Sequence, residues 1–146
     1  GFSFARLPAL LETNMSSHEL KQVIEAADRA ITAEDFDALM DFYADDATLV
    51  VRPGLNASGK EQIRKAFAAI ADHFDHDIRV TQGDMTVVEG GDTALVLMET
   101  VVTTGGAKGA ETSAVRRATY VFRKSADGKW LCVIDNSYGT DLLDAL

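Results

Sequence analysis

The stretch FYADDATLVVRPG, Phe42 to Gly54, sets two adjacent carboxylates, Asp45 and Asp46, between an aromatic pair and a β-branched run, and closes on Arg52, Pro53 and Gly54. Short acidic side chains at a helix-to-strand junction bond nearby backbone groups and stabilise the turn. Adjacent residues seldom aim both side chains at one substrate atom. The aspartates therefore read as a joint of the fold, not as a catalytic acid pair.

Upstream of this joint the periodicity is helical. Phe36, Leu39, Met40 and Tyr43 form the apolar stripe of a short helix opened by Thr32 and Asp35 and ending at about Ala44. Before it, Ser16 and Glu19 have capping-box spacing, and Leu20, Val23, Ile24, Ala27 and Ile31 share one face, which predicts a helix over 17–31. Downstream, the run ATLVV is a strand, and Ser58 with Glu61 opens a third helix whose Ile63, Phe67, Ile70 and Phe74 point inward. From Asp77 the pattern turns to β-rich runs, IRVTQGDMTVVEG, DTALVLMETVVTT, SAVRRATYVFRK and KWLCVIDNSYG, separated by Gly- or Asp-bearing turns. Helices first and consecutive strands after them argue an α+β domain, an antiparallel meander curved around a helical layer.

The 146 residues suit one domain, predicted over 16–146 with an N-terminal arm at 1–15 that is too short and too poorly apolar to span a membrane. A net charge of −9 disfavours nucleic acid and anionic lipid as partners. The lone Cys132 can form no intramolecular disulfide, which fits a reducing, cytoplasmic setting. His73 and His76 in DHFDHD lie at a helix end without further ligands at motif spacing, so no metal site is predicted. Cys132, mid-strand among apolar neighbours, reads as packing.

Hairpin register decides which polar groups meet. The turn SADGK predicts Ser125 opposite Lys129 and Phe122 opposite Cys132, so Trp130, Cys132, Ile134, Asn136 and Tyr138 would share a face with Arg116, Ala118, Tyr120 and Phe122. Symmetric closure of GGAKGAET about Lys108 and Gly109 pairs Glu99 near Ala118 and puts Glu99 on that face too. Tyr43, Arg52, Glu99, Arg116, Tyr120 and Asn136 are then the candidate ligand-binding residues, with Glu99 and Arg116 as a pocket charge pair. The competing readings are an exposed or interface-rim pair for Glu99, and a register one residue off, which exchanges pocket and interface residues. The opposite face, Ala94, Val96, Met98, Val102, Val115, Val121, Leu131 and Val133, interrupted by Arg117 and Asp135, is also mostly apolar, which predicts a homodimer through the sheet.

The block DFYADDATL, the proline and glycine after it, SGKEQIRKAF and the closing DGKWLCVIDNSYG resemble the nuclear transport factor two-like superfamily, which includes ketosteroid isomerases and SnoaL-like polyketide cyclases, over about 17 to 138. The resemblance implies a cystatin-like cone, three N-terminal helices on a curved, mixed, mainly antiparallel sheet. In the steroid isomerases the base is an aspartate before the proline, where this chain has Arg52, and the oxyanion-hole tyrosine and aspartic acid fall on Ala27 and Tyr120. That reaction is not supported, and no catalytic residue is assigned. The resulting expectation is a cofactor-independent small-molecule-binding protein with an apolar ligand between helices and sheet, of isomerase, cyclase or dehydratase type if catalytic; the alternative is a non-catalytic dimeric association module.

Overall fold

The computed structural model describes residues 14–106 and 109–145, and the predicted arm lies outside them except at its last two positions. Those two positions belong to α1, Asn14–Ala33, which starts earlier than its apolar stripe suggests; the Ser16 cap lies outside the described side chains. Asp35 caps α2, Phe36–Met40, accepting from the Ala38 amide at 3.2 Å. This helix is shorter than its stripe predicts. Tyr43 falls instead in β1, Tyr43–Arg52, where alternation replaces helical spacing and the Tyr43 ring is 1% exposed.

A two-residue turn at Pro53 and Gly54 leads into β2, Leu55–Ser58, a strand that the sequence pattern does not separate from its neighbours. Helix α3, Lys60–His73, follows with Gly59 rather than Ser58 at its N-cap, and the Gln62 side chain accepts from the Ser58 amide at 2.9 Å. The meander then runs as β3, Ile78–Gly90, β4, Thr93–Thr104, β5, Thr112–Lys124, and β6, Trp130–Asn136, ending in a 3-10 helix, Gly139–Ala145.

The sheet order is β2-β1-β6-β5-β4-β3, with β1 and β6 parallel and every other pair antiparallel. Helix α1 packs on β3 and α3 on β1 and β2, so the helices close the concave side of a six-stranded sheet. The core there is built on Leu20, Ile24, Leu39, Ile63, Val96 and Phe122, each no more than 1% exposed. Phe42 meets Phe122 edge-on at 5.6 Å, joining the helical joint to the sheet.

The two aspartates of the opening stretch are ties of this fold. Asp46 pairs with Arg123 of β5 at 2.9 Å and Asp45 with Lys60 at the start of α3 at 3.5 Å, both on the outside.

Two backbone irregularities set what faces the concave side. The β4–β5 hairpin pairs Thr104 with Thr112 and hence Glu99 with Arg117, one residue away from the symmetric closure read from the sequence. An odd rather than even number of loop residues exchanges the faces of the two strands, so Ala94, Val96, Met98 and Thr100 point inward with Arg116, Ala118 and Tyr120. In β6, Cys132 sits opposite Phe122 as expected, but Ile134 sits opposite Val121, so Val133 is an extra residue. That bulge inverts the phase of the strand and turns Asp135 inward beside Tyr120, with Asn136 opposite Thr119.

Asn136 consequently serves the chain turn after β6. Its amide nitrogen donates to Thr119 Oγ1 and to the Gly139 carbonyl, each at 3.1 Å, and its oxygen accepts from the Tyr138 amide. Gly139 adopts φ +56°, and a Cβ there would lie 2.3 Å from the Arg117 carbonyl oxygen. Gly139→Ala is therefore expected to destabilise the protein by about 2 kcal/mol or more, because main chain must shift as well as the strained dihedral being filled. Urea unfolding measures this directly, and an unchanged midpoint would contradict the close approach.

Candidate active site

Between the helices and the concave face lies a cavity of about 780 Å³. Its walls are mostly apolar, with Leu49, Phe67, Ile70 and Val102 among them, and its rim includes Glu34, Phe74 and His76. Two carboxyl groups open into it, Asp28 from α1 and Asp135 from the bulged end of β6, each only 8% exposed.

Neither is neutralised by a cation in ion-pair contact among the described residues, and burial therefore governs both. Desolvation raises Asp28 from 3.8 to about 7, against a lowering hydrogen bond from Gln82 Nε2 to Oδ2 at 2.6 Å, with the charge of Asp135 adding to the rise. Gln82 Oε1 is buried without a partner, so the Gln82 amide can equally accept from a protonated Asp28 by turning over. Asp135 is raised to about 6 by burial, opposed by the Tyr43 hydroxyl, which donates to Oδ2 at 2.6 Å. Tyr43 is itself pushed well above its ordinary value, first by burial and then by the Asp135 charge, so it remains a donor.

Tyr120 lines the same end of the cavity, and burial followed by the charges of Asp135 and Asp28 raises its hydroxyl. The ensemble is two carboxyl groups that exchange protons near neutrality and two phenols that stay protonated. Such a set can remove a proton at one atom of a ligand and deliver one at another.

Of the residues singled out from the sequence, Tyr120, Arg116 and Arg52 line the cavity. Tyr43 lies behind Asp135 and orients it. Glu99 lies on the convex face, 3.7 Å from Arg117, and the expected pair with Arg116 does not form because the hairpin register is odd. Asn136 is spent on the turn. Cys132, 0% exposed, has its thiol pushed up by burial and donates a hydrogen bond to the Ile134 carbonyl at 3.3 Å.

Asp28 and Asp135 were not among the candidates. Asp28 stands four residues after Ile24 and three before Ile31, inside the apolar stripe of α1, and an aspartate there is the signal that identifies it. Asp135 is hidden by the bulge at Val133, which strand alternation does not reveal. At the rim, His76 bridges Glu34 at 2.6 Å and Asp72 at 3.1 Å, and Glu34 raises its affinity for the proton. Among the described residues no group of three or more His, Cys, Asp or Glu side chains is placed to hold a metal ion, and no helix is long and apolar enough to cross a membrane.

Residues 23–133 match the family model of the SnoaL-like domain. Among solved structures, Aln2 from a Streptomyces species superposes with a TM-score of 0.79 at 21% identity, covering 91% of this chain and 96% of that one. A protein provisionally assigned as a dehydratase of the NTF2-like family from Streptomyces avermitilis gives a TM-score of 0.72 at 23% identity over 85% and 96% of the two chains. A protein of unknown function with a cystatin-like fold from Nostoc punctiforme also reaches 0.72, at 22% identity over 84% and 90%. No curated protein matches the sequence.

Proposed function

Because the chain belongs to the SnoaL-like domain family, within the nuclear transport factor two-like superfamily, we propose that it is an acid–base enzyme acting on a small, largely apolar carbonyl compound. The observation that carries this reading is the pair of buried carboxyl groups facing one cavity with values of about 7 and about 6. A structural aspartate has no need to sit unpaired by a cation in an apolar cavity, whereas a general base or acid works best with its value near the working pH.

Asp135, the more acidic of the two, is the base at neutral pH, and Asp28 is the acid. Tyr43 holds Asp135 in place, and Tyr120 donates to negative charge developing on a carbonyl oxygen. Isomerisation, aldol-type cyclisation and dehydration of a hydroxycarbonyl share one first step, removal of a proton next to a carbonyl. The assignment of one neighbour as a dehydratase is consistent with that step.

The shared step supplies the test. A panel of aryl and alicyclic ketones incubated with the protein in deuterium oxide should show enzyme-dependent deuterium uptake by mass spectrometry in at least one member. A panel that exchanges no faster than in buffer, with the cavity shown to bind those ketones, would argue for a binding role alone.

A second reading concerns the convex face, where Val88, Leu95, Leu97 and Ile134, each 37% to 54% exposed, cluster in register, with Val115, 66% exposed, farther along beyond Glu99 and Arg117. An apolar sheet face of this kind is what a second copy covers, in an enzyme and in an association module alike. Sedimentation should return a dimer that Leu97→Lys converts to monomer; a parent that stays monomeric at micromolar concentration would refute it.

A further inference from the structure

Arg116 projects from β5 into the cavity, half-buried, and its guanidinium carbon sits 4.4 Å above the centre of the Tyr138 ring. Tyr138 is itself fixed, its hydroxyl donating to the Val51 carbonyl at 3.2 Å and its amide to Asn136 Oδ1 at 3.1 Å. Among the described residues no carboxylate lies in ion-pair contact with this guanidinium. The nearest candidate in sequence terms, Glu99, is on the other side of the sheet with Arg117. Stacking on an aromatic face offsets part of the cost of desolvating a cation and leaves the edge of the guanidinium, with its fork of donors, free.

Arg116 stands four residues along β5 from Tyr120, the inward residue opposite Asp135. At about 3.3 Å per residue that is roughly 13 Å of strand, with Ala118 the inward residue between them and Thr100 of β4 opposite Arg116. Arg52, which follows Val51, lines the same cavity. The sheet wall of the cavity thus carries a carboxyl group at Asp135, beside Tyr120, and a cation at Arg116, four residues along β5. In a protein of net charge −9 the bulk field repels anions, so a cation in this wall selects for them.

We infer that the ligand is an apolar carbonyl compound bearing a carboxylate, which Arg116 receives in a forked contact while the reacting carbon lies at Asp28 and Asp135. This rests on the cavity reading above and names the class of substrate for it. The alternation of faces makes Arg116 a specificity residue: it anchors the end of the ligand remote from the chemistry.

The test uses two dyes with the same fused-ring skeleton, anilinonaphthalene sulfonate and the neutral phenylnaphthylamine, titrated by fluorescence into the purified protein. The sulfonate stands in for the carboxylate. The parent should bind the sulfonate dye about tenfold more tightly than the neutral one, and Arg116→Gln should weaken the sulfonate dye by about tenfold or more while leaving the neutral dye within about twofold. Arg116→Lys should fall between, keeping the charge and losing the fork. Neutral-dye affinity shows that the variant has kept its fold and cavity. Equal losses for both dyes, or no loss for either, would overturn the assignment to Arg116 while leaving the cavity standing. Failure of both dyes to bind the parent would overturn the cavity reading and this inference together.

Discussion

Asp28→Asn is expected to melt above the parent at pH 8, and the margin should grow between about pH 4 and pH 7. The native carboxyl of Asp28 holds its proton to about pH 7, whereas in the unfolded chain it releases it near 3.8. Below the unfolded value both states are protonated and ionisation contributes nothing to the difference between parent and variant. As the pH rises through this window the unfolded parent ionises and gains solvation while the native state cannot follow, so the parent loses stability until Asp28 ionises in the folded state as well. The interval corresponds to a stability loss of order 4 kcal/mol, which in a domain of this size is about 5 °C or more in melting temperature.

Asparagine cannot ionise and so does not suffer that loss. Its amide can donate to Gln82 Oε1, the buried acceptor that lacks a partner beside Asp28. Melting curves of parent and variant at a series of pH values separate this from a simple packing effect, which would give a constant offset. A flat difference from pH 4 to pH 8 would mean that Asp28 is not held protonated. A stabilising substitution at a cavity carboxylate is also the expected mark of a group kept for function at a cost to the fold.

How far the sequence reaches is visible residue by residue. The junction at Asp45 and Asp46 is legible because local chemistry decides it: short acidic side chains, a helix that must stop, a β-branched run that must pair. The aspartates are in fact used as ties, to Lys60 and Arg123. The helix-then-meander order is legible for the same reason, since each element carries its own period. Facing is a different matter, because it propagates from a single count. One residue of loop length between Thr104 and Thr112 puts Glu99 outside and leaves Arg116 in the cavity with no carboxylate partner among the described residues. One extra residue at Val133 puts Asp135 inside and releases Asn136 to the turn. A slip of one residue is the competing register, but glycine-rich loops carry no signal strong enough to say which register holds, and bulges leave none in an alternating pattern. Asp28 was legible in principle, as a charge on an otherwise apolar helix face, and its meaning appears only once Asp135 is seen to share its cavity.

Asp135→Asn should have the largest effect on chemistry, lowering the rate of deuterium exchange into an active ketone by about 10²-fold or more, as expected when the group that takes the proton can no longer accept it. The more discriminating measurement is the pH profile. Exchange requires Asp135 ionised and Asp28 protonated, so the rate should rise with an apparent value near 6 and fall with one near 7, a narrow bell peaking between them. Because the two charges feel one another, these limbs belong to the pair, and variants assign them. Asp28→Asn should remove the falling limb and lower the plateau. Tyr43→Phe withdraws the hydrogen bond that holds Asp135 down, so its rising limb should move to higher pH, with the carboxyl then governed by burial alone. Tyr43 touches no cavity surface, so a packing defect alone would lower the rate at every pH without displacing the limb. A profile in Tyr43→Phe that keeps its midpoint would refute the orienting role of that phenol, and an Asp135→Asn variant exchanging at the parent's rate would remove Asp135 from the reaction altogether.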